Sequence, residues 1–132
     1  MIIETKRVAF DPIVLPLTNV GANSTHNGVE IDFDAKNQMA ETNEVLEVYL
    51  SEGASSAGAP TLQVLVETKE PDGAYRQVAS GEVFPLSALV EGAVVHKVAL
   101  PDGCDQSVRV SLKNDTADTF TGGSAVGVVR PL

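Results

Sequence analysis

From residue 28 onward the chain alternates apolar and polar positions with a period of two, the pattern of strands with one buried face. Val29, Ile31 and Phe33 alternate with Glu30 and Asp32, and Leu46, Val48 and Leu50 alternate with Glu47 and Tyr49. Leu62, Val64 and Val66 alternate with Gln63, Leu65 and Glu67. Val94, His96, Val98 and Leu100 predict another buried face, with Lys97 opposite and Pro101-Asp102-Gly103 ending the segment. Val108, Val110 and Leu112 alternate with Arg109, Ser111 and Lys113, and a last strand is predicted from Ser124 to Arg130. A weaker strand, Tyr75 to Ser80, follows the turn Glu70-Pro71-Asp72-Gly73. In that turn Pro pre-sets φ, Asp caps locally and Gly accepts a positive φ.

Helix is scarce. Pro85 to Val90 predicts one turn, closed by Glu91-Gly92. Ser51 to Pro60 and Asn114 to Gly123 are polar and glycine-rich, and read as long surface loops. The first 27 residues differ from the rest, with Pro12, Pro16, Gly21 and the polar run Asn23 to Asn27. They predict an extended arm and a loop, with one short strand near Ile13 to Leu17. About seven short strands separated by turns predict an all-β fold. The expectation is a jelly-roll-like antiparallel β-sandwich with an extended N-terminal arm: residues 1–27 as arm and loop, residues 28–132 as sandwich.

A chain of 132 residues suits one domain with a core of its own. Eighteen acids against nine bases leave a net charge of −9. A protein so charged is repelled by phosphates, which argues against nucleic acid and anionic membrane surfaces as partners. No stretch approaches the ~20 apolar residues of a spanning helix. Glu4, Lys6 and Arg7 interrupt the apolar start Met1-Ile2-Ile3, so no secretory leader is expected. The single Cys104 has no internal partner, which suits a reducing compartment.

Candidate chemistry is sparse. His26 and His96 lie in no metal-ligand spacing. Cys104 sits near Asp102 and Asp105, whose charges disfavour a thiolate. Asp32-Phe33-Asp34 and the run Asn114 to Asp118 lack the glycine and terminal Glu of a calcium loop. Gly122-Gly123 is followed by neither the Lys-Ser/Thr nor the helix of a phosphate loop. Asn23-Ser24-Thr25 and Asn114-Asp115-Thr116 match the glycosylation sequon as chance matches in loops. No pair stands out among the acids, and without Trp a sugar-stacking platform is weak. No enzyme activity, cofactor or metal is expected; function is expected in the surfaces.

Several stretches carry a resemblance: Val45-Leu46-Glu47-Val48-Tyr49-Leu50, Thr61-Leu62-Gln63-Val64, His96-Lys97-Val98-Ala99-Leu100-Pro101, and Thr119-Phe120-Thr121-Gly122-Gly123 before a valine strand. From about Ala40 to the C-terminus the chain resembles the jelly-roll capsid cement (decoration) proteins of short-tailed bacteriophages. The resemblance implies a virion protein on the outer capsid surface, bridging neighbouring subunits of the major capsid protein. A net charge of −9 is compatible with the outer face, away from packaged DNA. The alternative is a carbohydrate- or receptor-binding β-sandwich module, which exposed aromatics around a groove would favour.

Self-association is also expected, a dimer first and a trimer second, because a small sheet domain has edges to cover. The arm from Met1 to about Pro16 is expected to dock on the coat. Ile2, Ile3 and Phe10 supply apolar area, while Lys6 and Arg7 pair with coat carboxylates. The competing assignment makes the arm the first strand of the sandwich, with Ile3 or Phe10 in the core.

Overall fold

Nine strands account for most of the structure. They are β1 (Ile13–Pro16), β2 (Ser24–Asp32), β3 (Glu44–Ser55), β4 (Thr61–Lys69), β5 (Tyr75–Ser80), β6 (Phe84–Pro85), β7 (Val94–Ala99), β8 (Ser107–Asn114) and β9 (Gly122–Pro131). Single 3-10 turns occupy Leu17–Asn19 and Leu86–Ala88. This computed structural model describes residues 12–32, 44–70, 72–99 and 107–131.

The strands form two antiparallel sheets. One has the order β1-β9-β3-β7; the other has the order β2-β8-β4-β5, with β6 pairing further along β4. The chain passes between sheets at nearly every connection, and β5 and β6 share one edge position on β4. Two four-position sheets wound in this way are a jelly roll, the all-β sandwich that the alternation predicts.

The alternation also accounts for the core. Leu46, Val48 and Leu50 of β3, Leu62, Val64 and Val66 of β4, and Val108, Val110 and Leu112 of β8 are all fully buried. Period two sends each set to one face, and the two faces meet. Leu15 and Leu17 close the core beside β9, and Leu89, Val95 and Phe120 contribute from the connecting segments and β7.

Three expectations change at the level of elements. The expected boundary between residues 27 and 28 falls inside β2. From Ile13 on, the expected arm and loop belong to the sandwich: β1 pairs with β9 from Ile13↔Gly127 to Pro16↔Ser124, and Leu15 and Leu17 are buried.

The polar stretch Ser51 to Ser55 is not loop but the end of β3, held against β9 through two register shifts. Likewise Asn114 ends β8, and Gly122-Gly123 opens β9. Cross-strand pairing there outweighs weak local propensity.

In β7 a bulge shifts the register: Val48 pairs with His96 but Tyr49 pairs with Val94. The extra residue, Val95, turns inward and is buried, while Val94 turns outward and is 47% exposed. A bulge flips the facing of every residue beyond it. The predicted face 94/96/98 is therefore broken at its first member.

Candidate interaction surfaces

The outer face of the β2-β8-β4-β5 sheet is polar and internally bonded. Arg109 and Glu67 pair at 2.8 Å, about four-fifths buried, and the guanidinium lies 3.6 Å from the centre of the Tyr75 ring. The Ser111 hydroxyl lies 3.0 Å from Glu67 Oε1 and 3.0 Å from Asn27 Oδ1. One hydroxyl proton serves one acceptor, and the carboxylate is the stronger. Register explains the cluster: Asn27 sits opposite Ser111, Glu67 opposite Arg109, and Tyr75 opposite Lys69 two residues along β4.

The outer face of the β1-β9-β3-β7 sheet is apolar across its middle. Val14 is in register with Val126, Val126 with Tyr49, and Tyr49 with Val94. These four residues form one row spanning all four strands. Both ends are open, Val14 at 60% and Val94 at 47% exposed, whereas Val126 is 8% exposed between its neighbours. Directly opposed side chains on one face lie about 4.5–5.5 Å apart at Cβ, close enough to shield the middle of a row. Sequence reading misses this row because it exists only through pairings between distant strands.

A cleft of about 480 Å³ opens between the sheets, lined by Ser80, Gly81, Glu82, Phe84, Val94, Val95, His96 and Lys97. The Nε2 atom of His96 is buried there without a hydrogen-bond partner, and burial holds the imidazole below its ordinary pKa of 6.5. Lys97 and Glu82 are the charged groups on its rim.

At one end of the sandwich Asn114 ties four segments together. Its Nδ2 donates to the carbonyls of Asp118 (2.7 Å) and Gly21 (3.3 Å). Its Oδ1 accepts from the Thr116 hydroxyl (2.9 Å), the Thr116 amide (3.1 Å) and the Thr61 amide (3.4 Å). The side chain is fully buried, so the sequon at Asn114 presents no free amide. Asp118 accepts from the Ala59 amide at 2.9 Å, a loop-fastening role.

The expected docking residues Ile2, Ile3, Lys6, Arg7 and Phe10, like Cys104, lie outside the described residues. His26 lies on β2 and His96 on β7, in different sheets. Among the described residues no group of three His, Cys, Asp or Glu is placed to hold a metal ion. Nor is any helix among them long and apolar enough to cross a membrane.

No protein-family model and no curated protein sequence matches the chain. Among solved structures it is similar to a protein from Sulfurospirillum deleyianum, with TM-score 0.51 and 9% identity over 94% of this chain and 99% of that one. That likeness is one of fold. A chain of infectious bursal disease virus, Gx strain, aligns with TM-score 0.46 and 16% identity, over 91% of this chain and 32% of that one. An endo-1,4-β-D-xylanase of Clostridium thermocellum, complexed with xylohexaose, aligns with TM-score 0.42 and 12% identity, over 89% of this chain and 24% of that one. This chain thus spans about a quarter to a third of the latter two.

Proposed function

We propose that this chain is a non-enzymatic capsid cement protein that binds the outer surface of an assembled phage shell and bridges neighbouring subunits of the major coat protein. The observation that carries the reading is how the surface is divided. On one sheet face Arg109, Glu67 and Ser111 are engaged with one another, and two of the exposed large apolar side chains, Val14 and Val94, lie on the outer face of the other sheet. Such a molecule acts by covering and being covered. The resemblance of the stretches around Val45, Thr61, His96 and Thr119 supports the same reading, and a net charge of −9 suits a position away from packaged DNA.

In this reading residues 1–10 dock on the coat. Ile2, Ile3 and Phe10 bury apolar area at ~25 cal/mol per Å², and Lys6 and Arg7 meet carboxylates of the coat. Ordering such a segment costs conformational entropy, which many copies on one shell offset through multivalency.

Purified virions should contain the chain in a fixed ratio to the major coat protein. Shells lacking it should gain heat resistance when it is added. Removing the first ten residues should leave the sandwich folded, by circular dichroism, and abolish shell binding. Absence from virions sinks the capsid reading, and protection of shells by the truncated chain sinks the role of the arm.

A carbohydrate-binding module is the competing reading, since the polar face carries Asn27, Gln63, Gln77 and Tyr75. The stacking of Arg109 on Tyr75 disfavours it, because that ring face is already covered. Glycan binding that is lost in Tyr75→Ala would replace the capsid reading.

A further inference from the structure

We propose that His96 is an acid-operated latch: protonation of its ring releases edge strand β7 from the segment carrying Gly81 and uncovers the core residues Val95 and Phe84. The inference is independent of the capsid reading.

Facing places the ring inside the sandwich. His96 lies opposite Val48, which is fully buried, and directly opposed residues share a face. The bulge turns the preceding residue, Val95, inward as well, so two successive residues of β7 point between the sheets. Across the gap stands Gly81. A Cβ there would come within 2.8 Å of Nδ1 and 3.3 Å of Cγ of the imidazole, so the ring fills the place that a side chain at 81 would take. Gly81 is itself fixed to β4: its N–H donates to the Val64 carbonyl (2.8 Å), and its own carbonyl accepts from Gln63 Nε2 (3.0 Å).

This place admits the neutral ring and rejects the charged one. A neutral imidazole carries a single N–H and can set it on Nδ1, whereas an imidazolium carries one on each nitrogen. Nε2 is buried and has no hydrogen-bond partner. Protonation therefore puts a charge and an unsatisfied donor between the sheets, which costs far more than an unpaired lone pair. Burial lowers the pKa of the ring, in the same direction. Among the described residues, the charged groups on the surrounding elements are Lys97 on β7, Glu82 between β5 and β6, and Glu47 on β3 opposite Lys97. None is hydrogen-bonded to Nε2, so no carboxylate there holds the charged ring in place.

The element that gives way is β7. It is six residues long and ends its sheet, paired with β3 alone, and the bulge interrupts that ladder between Val48↔His96 and Tyr49↔Val94. Gly81, by contrast, is tied to β4, an inner strand. The cleft of about 480 Å³ already lies between β7 and the Gly81 segment, so a small displacement of the strand lets water reach the ring. Release bares Val95 and Phe84, whose sequence neighbours Val94 and Val83 are already 47% and 54% exposed. The apolar surface on that side of the sandwich grows. A released ring binds its proton at the ordinary value of 6.5, and the enclosed ring only at lower pH. Opening therefore grows as pH falls through 6.5 and levels off below the enclosed value, by at most tenfold per pH unit for one proton.

Native-state hydrogen exchange of the full chain, read by NMR from pH 7.5 to pH 5.5 and corrected for the intrinsic rate at each pH, tests this. The β7 amides bonded to β3 should exchange through an opening at least tenfold more populated than the one that exposes the amides of β4 and β8. That population should rise about tenfold over the pH range. H96Q, checked for folding by circular dichroism, should flatten the rise. H26Q should not, because His26 lies on β2 in the other sheet. Gly81→Ala crowds the ring and should raise the β7 opening several-fold at pH 7.5.

Equal protection in β7 and β8 would mean that the strand opens only with the whole domain, and overturns the proposal. So does β7 protection that ignores pH while the His96 ring resonances titrate, since the ring would then turn into the cleft without the strand. A rise that persists in H96Q, or a β7 unchanged by Gly81→Ala, overturns it as well.

Discussion

Gly28 shows how one residue type can be dictated by a contact far away in sequence. It lies where the β2 register slips against β8, between the pairs Asn27↔Ser111 and Glu30↔Arg109. A Cβ there would press on the backbone carbonyl of Val110 and sit 2.8 Å from Cδ2 of Leu15. A backbone oxygen inside a paired sheet cannot step aside cheaply, so the cost is one of overpacking. Gly28→Ala should lower stability by about 1–3 kcal/mol in urea denaturation. A value within ~0.5 kcal/mol of wild type would mean that the two sheets relax freely at this edge. Gly73, by contrast, is required for its backbone. Its φ is +93°, and the turn is closed by Gly73 N–H donating to Glu70 O (2.9 Å) and Ala74 N–H donating to Asp72 Oδ1 (2.9 Å). That turn was legible in the sequence because all its partners are local.

At the scale of elements, strand ends are fastened by side chains rather than by the strands themselves. Asn114 closes β8, yet its partners Gly21, Thr61, Thr116 and Asp118 belong to the approach to β2, the start of β4 and the β8–β9 loop. Asn114→Ala removes the side-chain partner of part-buried amides and carbonyls, a loss of about 1–3 kcal/mol. Hydrogen exchange at the Thr61 and Thr116 amides should accelerate in that variant. Unchanged protection there would show that water replaces the side chain without cost. The same stretch reads in sequence as a sequon and a fragment of a calcium loop, because Asn, Asp and Thr serve local turns and distant caps with the same atoms. Only the packing of β4 and the Gly21 segment around it distinguishes these uses.

Across the whole molecule the two sheets meet over a single apolar core, and His96 sits at the open side of their junction. Its imidazole is kept below its ordinary pKa by burial, so the neutral form is favoured in the folded state. The unfolded chain then binds the extra proton at a higher pH than the folded one. The His96 contribution is therefore intact above the unfolded value of 6.5 and is lost as pH falls below it. Lys97 and Glu82 stand at the rim of the same cleft. Between about pH 8 and pH 5 the stability of wild type should drop relative to His96→Gln, measured by urea denaturation at each pH. Parallel curves for the two proteins would assign the acid sensitivity to other groups.

Period-two runs at Leu46–Leu50, Leu62–Val66 and Val108–Leu112 were sufficient, from sequence alone, to define an all-β sandwich and most of its core. Inward facing depends only on alternation and on the availability of an apolar layer opposite. The turn at Glu70–Ala74 and the single turn after Pro85 were legible for the same reason: their determinants lie within a few residues. What tertiary structure alone decided is where alternation fails and which strands become neighbours. The Val95 bulge reverses the facing of Val94, and pairing with β9 makes strand out of Ser51–Ser55. Two remote pairings bring Val14 and Val94 to opposite ends of one apolar row. These features arise from strand registers set between segments tens of residues apart, and no local pattern of side chains encodes a register.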